Sequence, residues 1–99
     1  MAKMSKALAF VMANKAPTHG DYAIAQIVMI LMRNGYEGSE TSYSGRIRLH
    51  RPDTDLRVTV GKITTAFYKT TDGEANYIAN IDTKNLLEIR RHVRSERLD

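Results

Sequence analysis

The sequence contains no cysteine and no long run of apolar residues. Without cysteine the chain cannot form disulfides or use a thiolate, which excludes a secreted, disulfide-stapled scaffold. No apolar stretch approaches the roughly 20 residues that a membrane-spanning helix needs. The first 13 residues carry lysines and a short apolar stretch, but this stretch runs into Asn14-Lys15 rather than a cleavage site, so it reads as a helix. We therefore expect a cytoplasmic protein that does not enter a membrane.

Motifs for catalysis and metal binding are also missing. His19, His50 and His92 are far apart, and none lies in a cluster with the spacing of metal ligands. No Gly-x-Ser-x-Gly nucleophile elbow is present. The segment Gly61-Lys62-Ile63-Thr64 lacks both the upstream glycine of a phosphate-binding loop and the Ser or Thr directly after the lysine. We expect no enzymatic activity, no metal and no cofactor.

What the chain does have is positive charge. Fifteen Lys and Arg against 11 Asp and Glu give a formal net charge of +4 over 99 residues, with a pI near 9.6. This length and a hydrophobic content of 42% fit one soluble globular domain. The surplus charge favours an anionic partner, either nucleic acid, an acidic protein surface or anionic lipid. Many small basic proteins have no such partner, so charge alone does not decide the function.

Two helices are predicted before residue 40. In residues 4–14 an apolar stripe has helical spacing and consists of Met4, Leu8, Val11 and Met12. Residues 22–33 are apolar on nearly all sides, with Asp21 as N-cap and Arg33-Asn34-Gly35 as the C-terminal stop. Such a helix is typical of a central core element. A second interpretation is that another subunit covers one side of it, which would make Ile24–Met32 a homodimer contact.

Two hairpins are predicted to follow. Apolar and polar residues alternate from 43 to 60 around the turn Arg51-Pro52-Asp53-Thr54, as in half-buried strands. This pairs Leu49 with Leu56, Ile47 with Val58 and Arg48 with Arg57.

The second hairpin joins residues 63–70 to 75–81 around Thr71-Asp72-Gly73-Glu74, pairing Phe67 with Ile78 and Tyr68 with Tyr77. A helix over residues 60–69 is the alternative, because Val60, Ile63, Ala66 and Phe67 also have helical spacing.

A last helix is predicted from about Thr83, with Asp82 as its cap. Its apolar stripe is Leu86, Ile89 and Val93, with Leu87 beside it. The fold class is therefore α+β: two N-terminal helices, a three- to four-stranded antiparallel sheet made of two hairpins, and a C-terminal helix packed on the sheet.

A variant of this fold makes residues 39–51 helical, with Ser39-x-Thr41-Ser42 as the cap and Arg46, Arg48 and Arg51 on a recognition helix. Asp72-Gly73 would then tip a wing. In this form the chain resembles a winged helix-turn-helix of the small phage-regulator kind over roughly residues 5–80. The resemblance implies a helix that reads nucleic acid.

The candidate binding site is an arginine-rich face of the first hairpin. Its residues are Arg46, Arg48, His50 and Arg57, with Arg51 and Lys62 near its ends. Cations on a rigid surface suit phosphate contacts, so we expect a small regulatory protein that binds nucleic acid. Arg90, Arg91 and Arg94 form a second candidate patch, although cations at a helix C-terminus are also explained by the helix dipole.

The same arginines also fit a protein-interaction module. Such a protein would be an inhibitor of the phage or mobile-element type that binds an acidic or nucleic-acid-binding surface of a host protein. Apolar anchors within the basic face would favour this alternative, and Tyr68 and Tyr77 are the candidates.

Overall fold

The computed structural model describes residues 6–14, 22–38 and 46–97. In chain order the elements are α1 (Lys6–Ala13), α2 (Tyr22–Arg33), β1 (Glu37–Gly38), β2 (Ile47–His50), β3 (Leu56–Val60), β4 (Thr64–Thr71), β5 (Glu74–Asp82) and α3 (Leu86–Arg97). The five strands form one antiparallel sheet in the order β1-β2-β3-β4-β5. The predicted α+β fold is confirmed, with a fifth strand because Glu37–Gly38 pairs with β2. None of the helices in these described ranges is both long and apolar enough to cross a membrane.

The three helices pack on the same face of the sheet. A single buried cluster combines helix and strand side chains: Val11, Ile24, Ile27, Val28, Leu31, Tyr36, Ile47, Leu49, Val58, Val60, Phe67, Ile81, Ile89 and Val93. The strand members are alternate residues of each strand, so they all point to one side, here called the inner face. The opposite side, the outer face, carries no helix from the described part of the chain.

The burial of side chains in α1 and α2 confirms most of the apolar pattern predicted for these helices. Ile27, Val28 and Leu31 of α2 are fully buried, whereas Met29, Ile30 and Met32 are half-buried. A homodimer contact through Ile24–Met32 remains a prediction. Met12 was predicted inside but is 51% exposed, and Phe10 packs against the core in α1 instead. Met4 and Asp21 lie outside the described residues.

The end of α2 follows the predicted stop. Gly35 adopts a positive φ of 92°, which only glycine takes without steric cost. The Tyr36 amide donates to the Leu31 carbonyl (3.0 Å) and the Gly35 amide to the Met32 carbonyl (3.2 Å), the two bonds of a Schellman motif. This turn sends the chain directly from the buried helix into β1.

The start of α3 differs from the prediction. The helix begins at Leu86, and Asn85 is its cap: Asn85 Oδ1 accepts from the Glu88 amide (3.2 Å) while its side-chain amide donates to Glu88 Oε2 (2.8 Å). Asp82 instead accepts from the Lys84 amide (2.9 Å) in a turn that precedes the helix. Thr83 lies in this turn, and its amide donates to the Ile63 carbonyl (2.9 Å). Leu87, placed beside the apolar stripe, is 60% exposed.

The first hairpin has the predicted faces in a different register. Ile47 and Leu49 are buried as expected, but Leu49 pairs with Val58 and Ile47 with Val60. Arg48 therefore lies opposite Thr59, and the predicted pairing of Arg48 with Arg57 is wrong. The reason is Pro52, whose fixed negative φ excludes it from the first central position of a tight two-residue hairpin turn.

The chain instead closes a longer loop, in which the Arg51 amide donates to the Leu56 carbonyl (3.1 Å). Asp53 takes a positive φ of 63° directly after the proline. The two-residue shift leaves each side chain on its predicted face and changes only its cross-strand partner.

The second hairpin contains a β-bulge that the sequence did not reveal. Asp72 and Gly73 form the predicted turn, with φ values of 51° and 80°. Tyr68 pairs with Tyr77 as predicted, but Phe67 pairs with Ala79 and not with Ile78. Ile78 is therefore an extra residue on β5, and beyond it every side chain of the strand changes face. As a result Ile81 is buried in the core and Asn80 points outward.

Two alternatives from the sequence are corrected. Residues 47–50 form strand β2, so the recognition helix over 39–51 is wrong for these positions, and residues 39–45 lie outside the described residues. The alternation of apolar and polar residues, rather than the serine and threonine cap, determined the element. Likewise residues 64–71 form strand β4 and not a helix over 60–69.

A buried polar contact ties α3 to the start of β1. The Tyr36 hydroxyl donates to Glu96 Oε1 (2.8 Å), and Glu96 Oε2 lies 3.9 Å from His92 Nε2. The His92 ring packs on Phe67 with centroids 4.3 Å apart. Burial raises the pKa of the Tyr36 hydroxyl well above its usual range, and the hydrogen bond and negative charge of Glu96 add to this, against a smaller opposite effect of Arg51.

Tyr36→Phe is expected to lower the free energy of unfolding by about 1–3 kcal/mol, because the Glu96 side chain, only 10% exposed, would lose its donor. A raised folded pKa means that the tyrosine's contribution is complete below the unfolded value of about 10 and is lost as pH rises above it. Urea unfolding at several pH values measures both effects. Tyr77→Phe, at an exposed tyrosine, is the control, and equal alkaline loss of stability in wild type and Tyr36→Phe would contradict the assignment.

Candidate nucleic-acid interface

Three cross-strand rows make up most of the outer face, beside a short row of Thr70 and Ala75 near the β4–β5 turn. Strand pairing and alternation place Arg48, Thr59, Ala66 and Asn80 in the central row. A second row continues from Glu37 through His50, Arg57 and Tyr68 to Tyr77. At the other end lie Arg46, Gly61, Thr64 and Asp82. The predicted arginine face is therefore part of a wider surface that extends across all five strands.

Small residues in the middle of this surface create an open depression of about 520 Å³. Thr59, Gly61 and Ala66 form its floor, since none of them has a side chain that reaches far above the sheet. Larger side chains rise on both sides: Arg46, Lys62 and Ile63 on one, Tyr77 and Asn80 on the other. The arrangement is a shallow site with cations at one wall and an aromatic ring at the other.

Gly61 has a backbone reason to be glycine. A Cβ at this position would lie 3.1 Å from the Thr64 carbonyl oxygen, which is tighter than ordinary van der Waals contact. The Gly61 amide also donates to that oxygen (2.9 Å), closing the turn between β3 and β4. The same hypothetical Cβ would lie 3.8 Å from Cγ and Nε of Arg46, so the arginine side chain extends across the glycine.

Two tyrosines form the aromatic wall. Tyr68 is buried (7% exposed) although it lies on the outer face, and its hydroxyl is hydrogen-bonded to that of Thr59 (3.1 Å). The Tyr77 ring lies 5.5 Å from the Tyr68 ring at an angle of 48°, a favourable tilted aromatic pair. Tyr77 itself remains 71% exposed. The buried Tyr68 side chain thus supports the exposed ring of Tyr77.

The predicted cations of the outer face differ in accessibility. Arg46 and Lys62 are exposed at the depression, whereas Arg48, His50 and Arg57 are half-buried among cross-strand neighbours. The Arg57 guanidinium donates through Nη1 to the carbonyls of Thr54 (3.0 Å) and Leu56 (2.9 Å), so one of its nitrogens holds the hairpin loop. Arg46 and Lys62 are therefore the cations best placed for a ligand.

The remaining predicted cations lie elsewhere. Arg51 belongs to the inner side of β2, where its charge acts on the Tyr36 hydroxyl. Arg90 and Arg94 are exposed on α3, which covers the inner face, so the sheet separates them from Arg46 and Lys62. Arg91 is exposed beside β5, in a groove with Ile81 and Asn80. The two arginine patches predicted from the sequence do not merge into one surface.

Acidic residues lie at the margins of the outer face. Glu37 is exposed on the edge strand β1, opposite His50. Asp82 is exposed at the end of β5, and its carboxylate accepts from the Lys84 amide. The centre of the face around the depression is therefore positive, while two carboxylates mark its edges.

Buried threonines fix the loop that carries Lys62 and Ile63. The Thr83 hydroxyl donates to the Gly61 carbonyl (2.7 Å) and is hydrogen-bonded to the Thr65 hydroxyl (3.1 Å). The Thr83 amide donates to the Ile63 carbonyl, so both ends of the loop are held by one residue. The rim of the depression is thus anchored to the turn before α3.

Sequence reasoning found the arginines and the two tyrosines but missed the depression. Thr59 lies on β3, Gly61 directly follows that strand and Ala66 lies on β4, so the floor forms only when β3 and β4 pair in the observed register. Asn80 was missed because the bulge at Ile78 reverses its direction. The sequence signal for the bulge is Ile81, because without a bulge this isoleucine would face solvent and Asn80 would face the core.

Searches of family models, curated proteins and solved structures found no match for the chain. Across the described residues, no three histidine or carboxylate side chains come together in a way that could hold a metal ion. The case for a function therefore depends on the geometry and chemistry of the outer face.

Replacing Thr83 by valine tests the anchor of the rim. Thr83→Val keeps the shape but leaves the buried Gly61 carbonyl without its donor, which should cost about 1–3 kcal/mol of unfolding free energy. Thr83→Ser retains the hydroxyl and should cost less. Thr71→Val, at an exposed position, is the surface control with an expected change within about 0.5 kcal/mol. Equal stability of Thr83→Val and wild type in urea unfolding would contradict this role.

Proposed function

We propose that the protein is a small non-enzymatic regulatory protein that binds nucleic acid on the outer face of its sheet. The observation that carries the proposal is the exposed Tyr77 ring on a face that no helix of the described residues covers, with Arg46 and Lys62 across the depression from it. Cations neutralise phosphates and release counterions, and aromatic rings stack on bases. Nucleic acid is the anionic polymer whose phosphates bind cations and whose bases stack on aromatic rings.

The position of the charges supports this proposal independently of the net charge. The exposed cations Arg46 and Lys62 lie at the depression, and the carboxylates Glu37 and Asp82 lie at the margins of the outer face. A polyanion that crosses the depression therefore meets both cations.

A protein-interaction module is the second candidate function. It is favoured by Ile63, which is 78% exposed beside Lys62, because an apolar anchor within a basic surface is typical of a protein contact. In this case the partner would be an acidic or nucleic-acid-binding surface of a host protein. Ile63→Ser separates the two candidates, since it removes the anchor without changing the charge.

Titration of labelled mixed-sequence oligonucleotides across a salt series tests the main proposal. The wild type should bind at low salt, with log affinity falling linearly with log salt by about 0.7 to 0.9 for each phosphate contact. Arg46→Ala with Lys62→Ala should weaken binding and reduce this slope by about 1.4 to 1.8, the loss of two contacts.

The matched control is Arg90→Ala with Arg94→Ala, which removes equal charge from the opposite side of the sheet and should leave the slope nearly unchanged. Absence of binding at low salt would contradict the proposal, and so would equal losses in the two double variants. Ile63→Ser should retain oligonucleotide affinity, whereas a protein contact anchored there would be weakened by it.

A further inference from the structure

We propose that the depression on the outer face takes an unpaired nucleobase, so that the nucleic acid bound there is single-stranded. This inference rests on the proposed function and adds the class of nucleic acid. It is drawn from the exposed face of Tyr77, the small floor residues and the polar groups around them.

The accessible surface of Tyr77 fits a base and not a duplex. A double helix presents phosphates and base edges, while the flat faces of its bases are stacked on one another. An aromatic side chain on an open sheet stacks on a base only when that base is unpaired. A ring that is 71% exposed beside a depression therefore favours a single strand.

The contact with Tyr68 holds the Tyr77 ring in place before a base binds. Tyr68 is 7% exposed and is held by the hydroxyl of Thr59, and the ring of Tyr77 packs on it at 5.5 Å. Little side-chain freedom remains to be lost when a base stacks there, which favours binding. Asn80 adds an amide group with donors and an acceptor for a base edge.

Ala66 gives a second, independent observation. It lies in the second-to-last strand of the sheet, on the outer face, where β-branched or aromatic residues would stabilise a strand better than alanine. Ala66 lines the depression together with Gly61, which is close to the Thr64 carbonyl, and Thr59, which is hydrogen-bonded to Tyr68. The small side chain of Ala66 leaves room for an occupant above the sheet.

The cations complete the site at its rim. Arg46 and Lys62 are exposed on the wall opposite Tyr77, so a base in the depression would have its flanking phosphates near positive charge. A single strand can turn its base toward the sheet and its backbone toward these side chains because it has no partner strand. Charge and stacking then act on the same nucleotide.

The experiment compares three probes of equal length: a mixed-sequence single strand, the same strand with abasic sites, and the duplex. For wild type we expect the tightest binding with the base-bearing single strand. Tyr77→Ala should weaken that binding roughly 5- to 150-fold and leave the abasic strand nearly unaffected, because stacking is lost and charge is kept. Tyr77→Phe keeps the ring and should keep most of the affinity.

Ala66→Ile fills the depression from its floor and serves as the second variant. It should weaken single-strand binding about as much as Tyr77→Ala while leaving thermal stability equal or higher, a combination that a structural role of Ala66 would not produce. The chain contains no tryptophan, so its intrinsic fluorescence comes from tyrosine. Stacking should quench this emission in wild type, and the Tyr77→Phe variant should lack that part of the quenching.

The outcomes separate this inference from the proposed function. The first outcome combines three results: duplex and single strand bind equally, Tyr77→Ala has no effect, and the Arg46/Lys62 double variant still weakens binding. In that case the phosphate-binding face is supported and the base site is overturned. If no oligonucleotide binds at low salt, both fail. If polyglutamate competes as well as a single strand of equal charge, the face belongs to an acidic protein surface and the base site is likewise overturned.

Discussion

The hydrophobic core between the three helices and the inner face of the sheet is the constraint on which the rest of the structure depends. Ile47, Leu49, Val58 and Val60 alternate with charged or polar residues, so a strand that slipped by one residue would bury Arg48 or Arg57 in their place. Burying an unpaired guanidinium costs far more than any cross-strand contact returns. The positions of the outer-face cations therefore follow from the needs of the core.

The bulge in β5 also follows from the burial of apolar side chains in the core. Tyr68 and Tyr77 are paired near the turn, and an unbroken register from there would send Asn80 into the core and Ile81 into solvent. An extra residue at Ile78 reverses this, since burying an isoleucine is favourable by about 1.5–3 kcal/mol and burying an amide without partners is unfavourable. Asn80 lines the depression because the bulge that buries Ile81 in the core also turns Asn80 to the outer face.

Much of the fold could be predicted because it follows from local patterns. The bounds of α2, the Schellman turn at Gly35 and the Asp72-Gly73 hairpin each depend on residues that are close in sequence. The register of the first hairpin also has a local cause, because Pro52 lengthens the loop and shifts the pairing by two residues. The depression could not be predicted, since Ala66 meets Thr59 through the pairing of β3 with β4 and Asn80 joins them only because of the bulge in β5.

The outer face differs in a specific way from a face that is merely solvated. A solvated sheet face is stabilised by β-branched and polar side chains packed across strands, and a single exposed apolar residue on it needs no explanation. Here large side chains, Tyr77 and Ile63, stand exposed at the rim while the centre between them is occupied by alanine and glycine. That distribution leaves large side chains exposed around an open space at the centre of the face. A flat, anionic ligand seated there would cover these side chains and fill the space.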